Sequence, residues 1–182
     1  MSIFRKLKSL FGAAEEPAPA EPLQEEEPVE QEPAADEKAL EEARRREEAL
    51  LEALSALHIA QSDTQTSSFL LMHSYRFEAP FDSRTMLHLV NGMRWIGFRL
   101  YSFSMRVDGQ EIDCESWQSF LRHLGESAVE AVNLLTSFGG VRVNAVIEAG
   151  GAVHFSHDSS RGVDLSPFES LFDPEEMPEE AE

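Results

Sequence analysis

Cysteine is nearly absent. Cys114 is the only one in 182 residues, so no internal disulfide can form and the chain suits a reducing compartment. Also missing is any apolar run near the roughly 18–20 residues of a membrane-spanning helix. The N-terminus has no continuous apolar centre of the kind that marks a signal peptide, and Ser2 stands where N-myristoylation requires a glycine. The expectation is a cytoplasmic protein. Bases are scarce as well, with 15 Lys and Arg against 34 Asp and Glu and a net charge of −19. A chain this acidic lacks the clustered cations that a phosphate backbone needs, so nucleic acid is not an expected partner.

The charge is unevenly spread. Residues 1–12 hold three bases and no acids, whereas residues 13–36 hold nine acids and no bases. Residues 66–165 carry eleven acids against eight arginines, and residues 166–182 add seven acids alone. In the first segment Ile3, Phe4, Leu7, Leu10 and Phe11 recur at helical spacing. Arg5, Lys6, Lys8 and Ser9 take the opposite face, and Gly12 follows as a stop. A short basic amphipathic helix of this kind can lie in the headgroup layer of an anionic membrane. The membrane-binding candidates are therefore Ile3, Phe4, Arg5, Lys6, Leu7, Lys8, Leu10 and Phe11. Docking of the same face into a protein groove is the other reading.

Residues 13–36 contain Pro17, Pro19, Pro22, Pro28 and Pro33 among glutamates, with little to bury. Such a composition is expected to be disordered and extended. Residues 37–60 are rich in helix formers, with Arg44 to Arg46 placed to pair with glutamates three and four positions away. Its leucine stripe is convincing only from Leu50 to Leu57, which fits either a short coiled coil or packing on the following domain. The polar run 61–68 reads as a domain boundary.

The head is expected over residues 66–165. Phe69, Leu71, His73, Tyr75 and Phe77 alternate as a strand, and Ser83 can cap a short helix bearing Met86, Leu87 and Val90, closed by Asn91-Gly92. Residues 95–107 form an aromatic strand whose parity switches near Leu100 and Tyr101, a bulge signal. Asp108-Gly109 then marks a hairpin into residues 110–114. Apolar residues from Trp117 to Phe138 recur at steps of three and four, which reads as one long helix over 115–138. Residues 141–148 and 152–157 form a closing hairpin around Gly150-Gly151. The expected fold is α+β, a two-layer sandwich of a mainly antiparallel sheet with two helices. Its order β-α-β-β-α-β-β is the ferredoxin-like order plus one strand. The disordered acidic linker and the N-terminal amphipathic helix precede it.

No catalytic constellation emerges. There is no phosphate-binding glycine loop, no G-x-S-x-G and no H-E-x-x-H. His154, His157 and Asp158 form the nearest approach to a metal cluster, but histidines three apart on a strand point to opposite faces. Cys114 lies between Asp113 and Glu115, which raise a thiol pKa rather than activate it. His73 and His88 sit in apolar patterns as core or rim residues. The expectation is no enzyme, no cofactor and no metal. In the tail, residues 166–182, Ser166 to Glu169 has capping-box spacing, and Phe168, Leu171 and Phe172 line one side. They suit either a partner's groove or the chain's own sheet.

The order of a basic amphipathic N-terminus, an acidic linker and a small α/β domain resembles the layout of SepF-type bacterial division anchors. The resemblance covers the N-terminal peptide and the order of regions, and no site residue is carried over from it. It implies a non-enzymatic peripheral adaptor at the inner face of the cell membrane, whose head binds a protein partner or a second copy of itself. In size and charge the chain is also similar to small acidic α/β secretion chaperones, which implies a soluble client-binding protein as the alternative. A small-ligand or enzymatic domain using the aromatic strand 95–107 as a pocket wall is the third reading.

Overall fold

One face of an antiparallel sheet organises the chain. The computed structural model describes residues 33–173. Their order is α1 (Pro33–Ser55), β1 (Ile59–Thr66), β2 (Leu70–Phe77), α2 (Ser83–Trp95), β3 (Arg99–Val107), β4 (Gln110–Cys114), α3 (Trp117–Glu126), β5 (Val129–Phe138), β6 (Val141–Glu148), β7 (Ala152–Asp158) and α4 (Ser166–Glu169). The seven strands form one sheet in the order β1-β2-β7-β6-β5-β3-β4, antiparallel at every step. The fold is α+β, with four helices among the described residues rather than the two expected of the sandwich.

The register explains which face is covered. Tyr75 pairs with Val153, Val153 with Ile147, Ile147 with Val132, and Val132 with Met105. All five are buried. Side chains alternate along each strand, so neighbouring rows share this face, and rings from the helical side close over it. Phe120 of α3 meets Phe103 at 5.2 Å, Phe168 of α4 meets Phe155 at 4.7 Å, and Phe172 meets Phe77 at 4.9 Å between centroids. Gln61, Asp63, Arg76, Asn144 and Arg106 occupy the opposite face and are exposed. That one-sided burial is the usual condition of an antiparallel sheet.

Two helices are crossovers. β2 and β3 are separated in the sheet by β7, β6 and β5, so α2 carries the chain across three strands; α3 carries it from the β4 edge past β3 to β5. Asp82, rather than Ser83, caps α2, its carboxylate accepting from Thr85 N–H at 2.7 Å. The helix runs through Asn91-Gly92 to Trp95. Gly92 lies inside it because a Cβ there would come within 2.6 Å of Leu54 Cδ1 of α1.

Several expectations are corrected. Residues 61–68, read as a boundary between helix and head, hold most of a strand: 61–66 belong to β1, whose polar alternation carries no burial signal because it is an edge strand. Residues 115–138 are not one helix. α3 ends at Glu126, and Val129–Phe138 is the interior strand β5, between β6 and β3. Gly139-Gly140, both at positive φ, is then the hairpin turn from β5 into β6. With β1 and β5 added, the element order departs from the expected β-α-β-β-α-β-β. The helix expected from residue 37 also begins earlier, at Pro33. The bulge is where parity placed it, as a register shift between Leu100 and Ser102. Asp108 and Gly109 have φ of 51° and 73°, which suits the expected tight turn. Glu130 fastens that turn, its carboxylate accepting from Gly109 N–H at 3.0 Å and from Arg106 Nε at 3.1 Å.

α1 has two parts. Leu54 is fully buried and Leu50, Leu51 and Leu57 pack against the core. Residues 37–49 are all exposed and are braced by the i,i+4 pairs Arg45–Glu41 and Arg44–Glu48 at 2.7 and 2.9 Å. Glu47 in this half still reaches the domain, accepting from Trp95 Nε1 of α2 at 2.5 Å; the ten residues 37–46 before it span about 15 Å at the helical rise.

Candidate functional site

The residues with most polar chemistry gather where β1, β2 and the C-terminal segment meet. An open groove of about 490 Å3 there is lined by Ser62, Tyr75, Ser166, Glu169, Ser170 and Phe172, among others. α4 is held down by its own apolar residues. Phe168, Leu171 and Phe172 are 0%, 3% and 6% exposed, and Phe168 also meets Tyr75 at 5.3 Å. The tail residues offered above for a partner's groove are thus packed in the chain's own core. Burying one such ring is worth about 1.5–3 kcal/mol, so presenting it to a partner would cost that packing. The capping box does not form. Leu165 occupies the N-cap without a side-chain bond, and the Ser166 hydroxyl instead donates to Asp164 Oδ1 at 2.6 Å.

Packing α4 on the sheet brings Glu169 over Tyr75, whose hydroxyl donates to Glu169 Oε1 at 2.9 Å. Burial, reinforced by that bond and by the carboxylate's charge, pushes the Tyr75 phenol well above its ordinary range. One step along the same face, the His73 and His157 rings stack with centroids 5.6 Å apart. His157 Nδ1 donates to the Asp158 carbonyl at 2.9 Å, and His73 Nδ1 lies 3.2 Å from the Thr64 hydroxyl. Both Nε2 atoms are buried with no hydrogen-bond partner among the described residues. Burial holds His73 below the usual histidine range; His157 adds to the effect and Glu169 opposes it.

The other candidates are dispersed. His154 and His157 do not converge. His157 is buried at 2% exposure on the covered face, while His154 faces the other way and its Nδ1 lies 2.9 Å from Ser74 Oγ. Among the described residues no group of three or more His, Cys, Asp or Glu is arranged around a common metal position. Cys114 is buried, and burial, with Asp113 adding, pushes its thiol up. His88 on α2 is lowered by burial and then by Arg84. The aromatic strand does contribute to an open groove, where Phe103 meets Trp117 and Arg94 lies 4.9 Å above the Trp117 ring. Ile3, Phe4, Arg5, Lys6, Leu7, Lys8, Leu10 and Phe11 lie outside the described residues.

Sequence reasoning missed the contribution of β1. Ser62 and Thr64 enter the site only because residues 59–66 form a strand, and the alternating Gln, Thr and Ser of that stretch were the sole trace of it. Tyr75 and Glu169 were each in view without any sign of their pairing. No protein-family model matches the chain, and no counterpart for it emerges from comparison with curated proteins or with solved structures.

Proposed function

We propose that this protein is a non-enzymatic adaptor that tethers a protein-binding α+β head to an anionic membrane surface at the cytoplasmic face. The observation that carries the reading is the segregation of charge. Three bases and five large apolar residues at helical spacing occupy residues 1–12, and nine acids without a base follow directly. Residues 1–12 lie on the headgroups, where each base contributes about 1 kcal/mol. The acidic residues 13–32, which lie outside the described residues, are repelled by the same surface. Attachment of one copy is modest, so firm attachment comes from several heads acting together, and the head self-associates or is gathered by its partner.

Two structural facts support this reading. No described helix is long and apolar enough to cross a membrane, which leaves a surface mode open. The exposed first half of α1, stiffened by its ion pairs, sets the head at a distance from whatever holds the N-terminus. The test is co-sedimentation with anionic and neutral vesicles, comparing the full chain with one lacking residues 1–12. Pelleting that needs anionic lipid, weakens with salt and vanishes on truncation is the expected outcome. Absence of pelleting on anionic vesicles overturns the reading.

A further inference from the structure

Among the described residues the outer edge of β1 is open, and the register gives its hydrogen-bonding phase. Ser67 N–H donates to Leu70 O at 2.8 Å at the hairpin end, and the register pairs Gln65 with Met72, Asp63 with Ser74 and Gln61 with Arg76. Bonded and non-bonded pairs alternate along an antiparallel ladder. Gln65, Asp63 and Gln61 therefore exchange bonds with β2, while Ser62, Thr64 and Thr66 turn their N–H and C=O groups to the open edge. No described strand pairs with that edge.

The two edges of the sheet are unlike. β4 is five residues long and carries Glu111 and Asp113, a common way of blunting an edge. β1 is eight residues long, with Asp63 its only charge and no proline. Each end of it has a distinct chemistry. At the Ser62 end is the polar groove with the Glu169 carboxylate. At the hairpin end Phe69 is 82% exposed and Leu70 52%.

We propose that the β1 edge docks an extended segment of a protein partner, which adds a strand to the sheet. The segment places a lysine or arginine in the groove at Glu169 and an apolar side chain against Phe69. Main-chain bonds to Ser62, Thr64 and Thr66 supply affinity, and the groove supplies selectivity through alternate side chains. Charge complementarity calls for a basic residue in the partner. A second copy pairing β1 with β1 does not provide one, since Ile59–Thr66 contains no base. The inference deepens the reading of the head as a partner-binding module and is independent of the membrane tether.

The experiment uses the full-length protein and a phage-displayed library of random twelve-residue peptides. Enriched peptides are synthesised both plain and with alternate amides N-methylated, and their affinities are measured by fluorescence anisotropy. Expected are peptides with a basic residue followed or preceded by an apolar one, whose binding falls at least tenfold on N-methylation in one of the two alternating phases. Thr64→Pro, which removes an N–H not used toward β2, should give a similar loss. Glu169→Gln keeps an acceptor for Tyr75 and should remove the preference for lysine over its neutral substitute. The N-methylated peptides make the test without altering the protein's fold. The proposal is overturned if nothing is enriched, if N-methylation has no effect, or if the peptides bind only after residues 1–12 are deleted. The last result would assign the edge to the chain's own N-terminus. Vesicle binding is scored separately, so either failure is recognisable on its own.

Discussion

The Tyr75 hydroxyl donates to Glu169 across 2.9 Å, joining the second strand of the sheet to the last helix over 94 positions of sequence. Tyr75 is 3% exposed whereas Glu169 is exposed, so Tyr75→Phe removes the bond and leaves the carboxylate to water. Tyr75→Phe should destabilise the protein by about 0.5–1.5 kcal/mol in urea unfolding. The bond also gives an alkaline signature. A phenol whose folded pKa is raised contributes stability that is complete below its unfolded value, about 10, and declines as pH rises above it. Unfolding midpoints of the native chain should fall above that pH, and Tyr75→Phe should flatten the fall.

Gly92 and Gly125 both lie in helices, yet opposite effects are expected from alanine at the two sites. Nothing lies within 4 Å of a Cβ at Gly125, whereas one at Gly92 would meet Leu54 Cδ1 at 2.6 Å and Leu171 Cδ1 at 3.3 Å. Gly125→Ala should stabilise by up to about 1 kcal/mol through helix propensity. Gly92→Ala should lose that gain and destabilise by about 1–3 kcal/mol through overpacking. Combining Gly92→Ala with Leu54→Ala should cost less than the sum of the two, because the second change makes room for the first. Thermal unfolding of the four variants decides it.

The sequence was informative wherever a local rule and the tertiary context agreed. The parity switch at Leu100 and Tyr101 became a real register shift, and Asp108-Gly109 became a real turn, because both depend on neighbouring residues. β5 was misread for a physical reason. Its pairing slips where Arg106 and Val107 face Ala131 and Val129, leaving Glu130 as the extra residue. The slip moves burial from the Val129 and Ala131 parity to Val132, Leu134 and Thr136. A strand buried on both parities spaces its apolar residues as a helix does. β1 could not be recognised from burial because it has little, with seven of eight residues exposed. The Tyr75–Glu169 bond and the His73–His157 stack both depend on long-range strand order, on which local periodicity is silent.

His73 should make the domain acid-sensitive. His73 is faced by Thr64 on β1, His157 on β7 and Glu169 on α4. Its folded pKa lies below the usual value because burial disfavours the cation. A base depressed in this way contributes stability present above its unfolded pKa of about 6.5 and lost as pH falls through the folded value. Unfolding midpoints should drop between neutral pH and pH 5. His88, also lowered by burial, adds in the same direction, so His73→Leu should lessen the drop and His73→Leu with His88→Leu should lessen it further.

The two parts of α1 should respond very differently to the same substitution. Leu54 is fully buried beneath α2, and Leu40 is 73% exposed in the projecting half. Leu54→Ala removes packed methyl groups and leaves a cavity, at an expected cost of about 2–5 kcal/mol. Leu40→Ala, with nothing to uncover, should stay within about 0.5 kcal/mol of the native chain. Hydrogen exchange should show the same division. Amides near Leu54 should open only with the domain, and amides around Arg44 to Arg46 should exchange through local fraying of a helix supported by surface ion pairs. Equal protection along all of α1 would mean that its first half is covered by a partner or by a second copy, and the spacer role assigned to it would then be wrong.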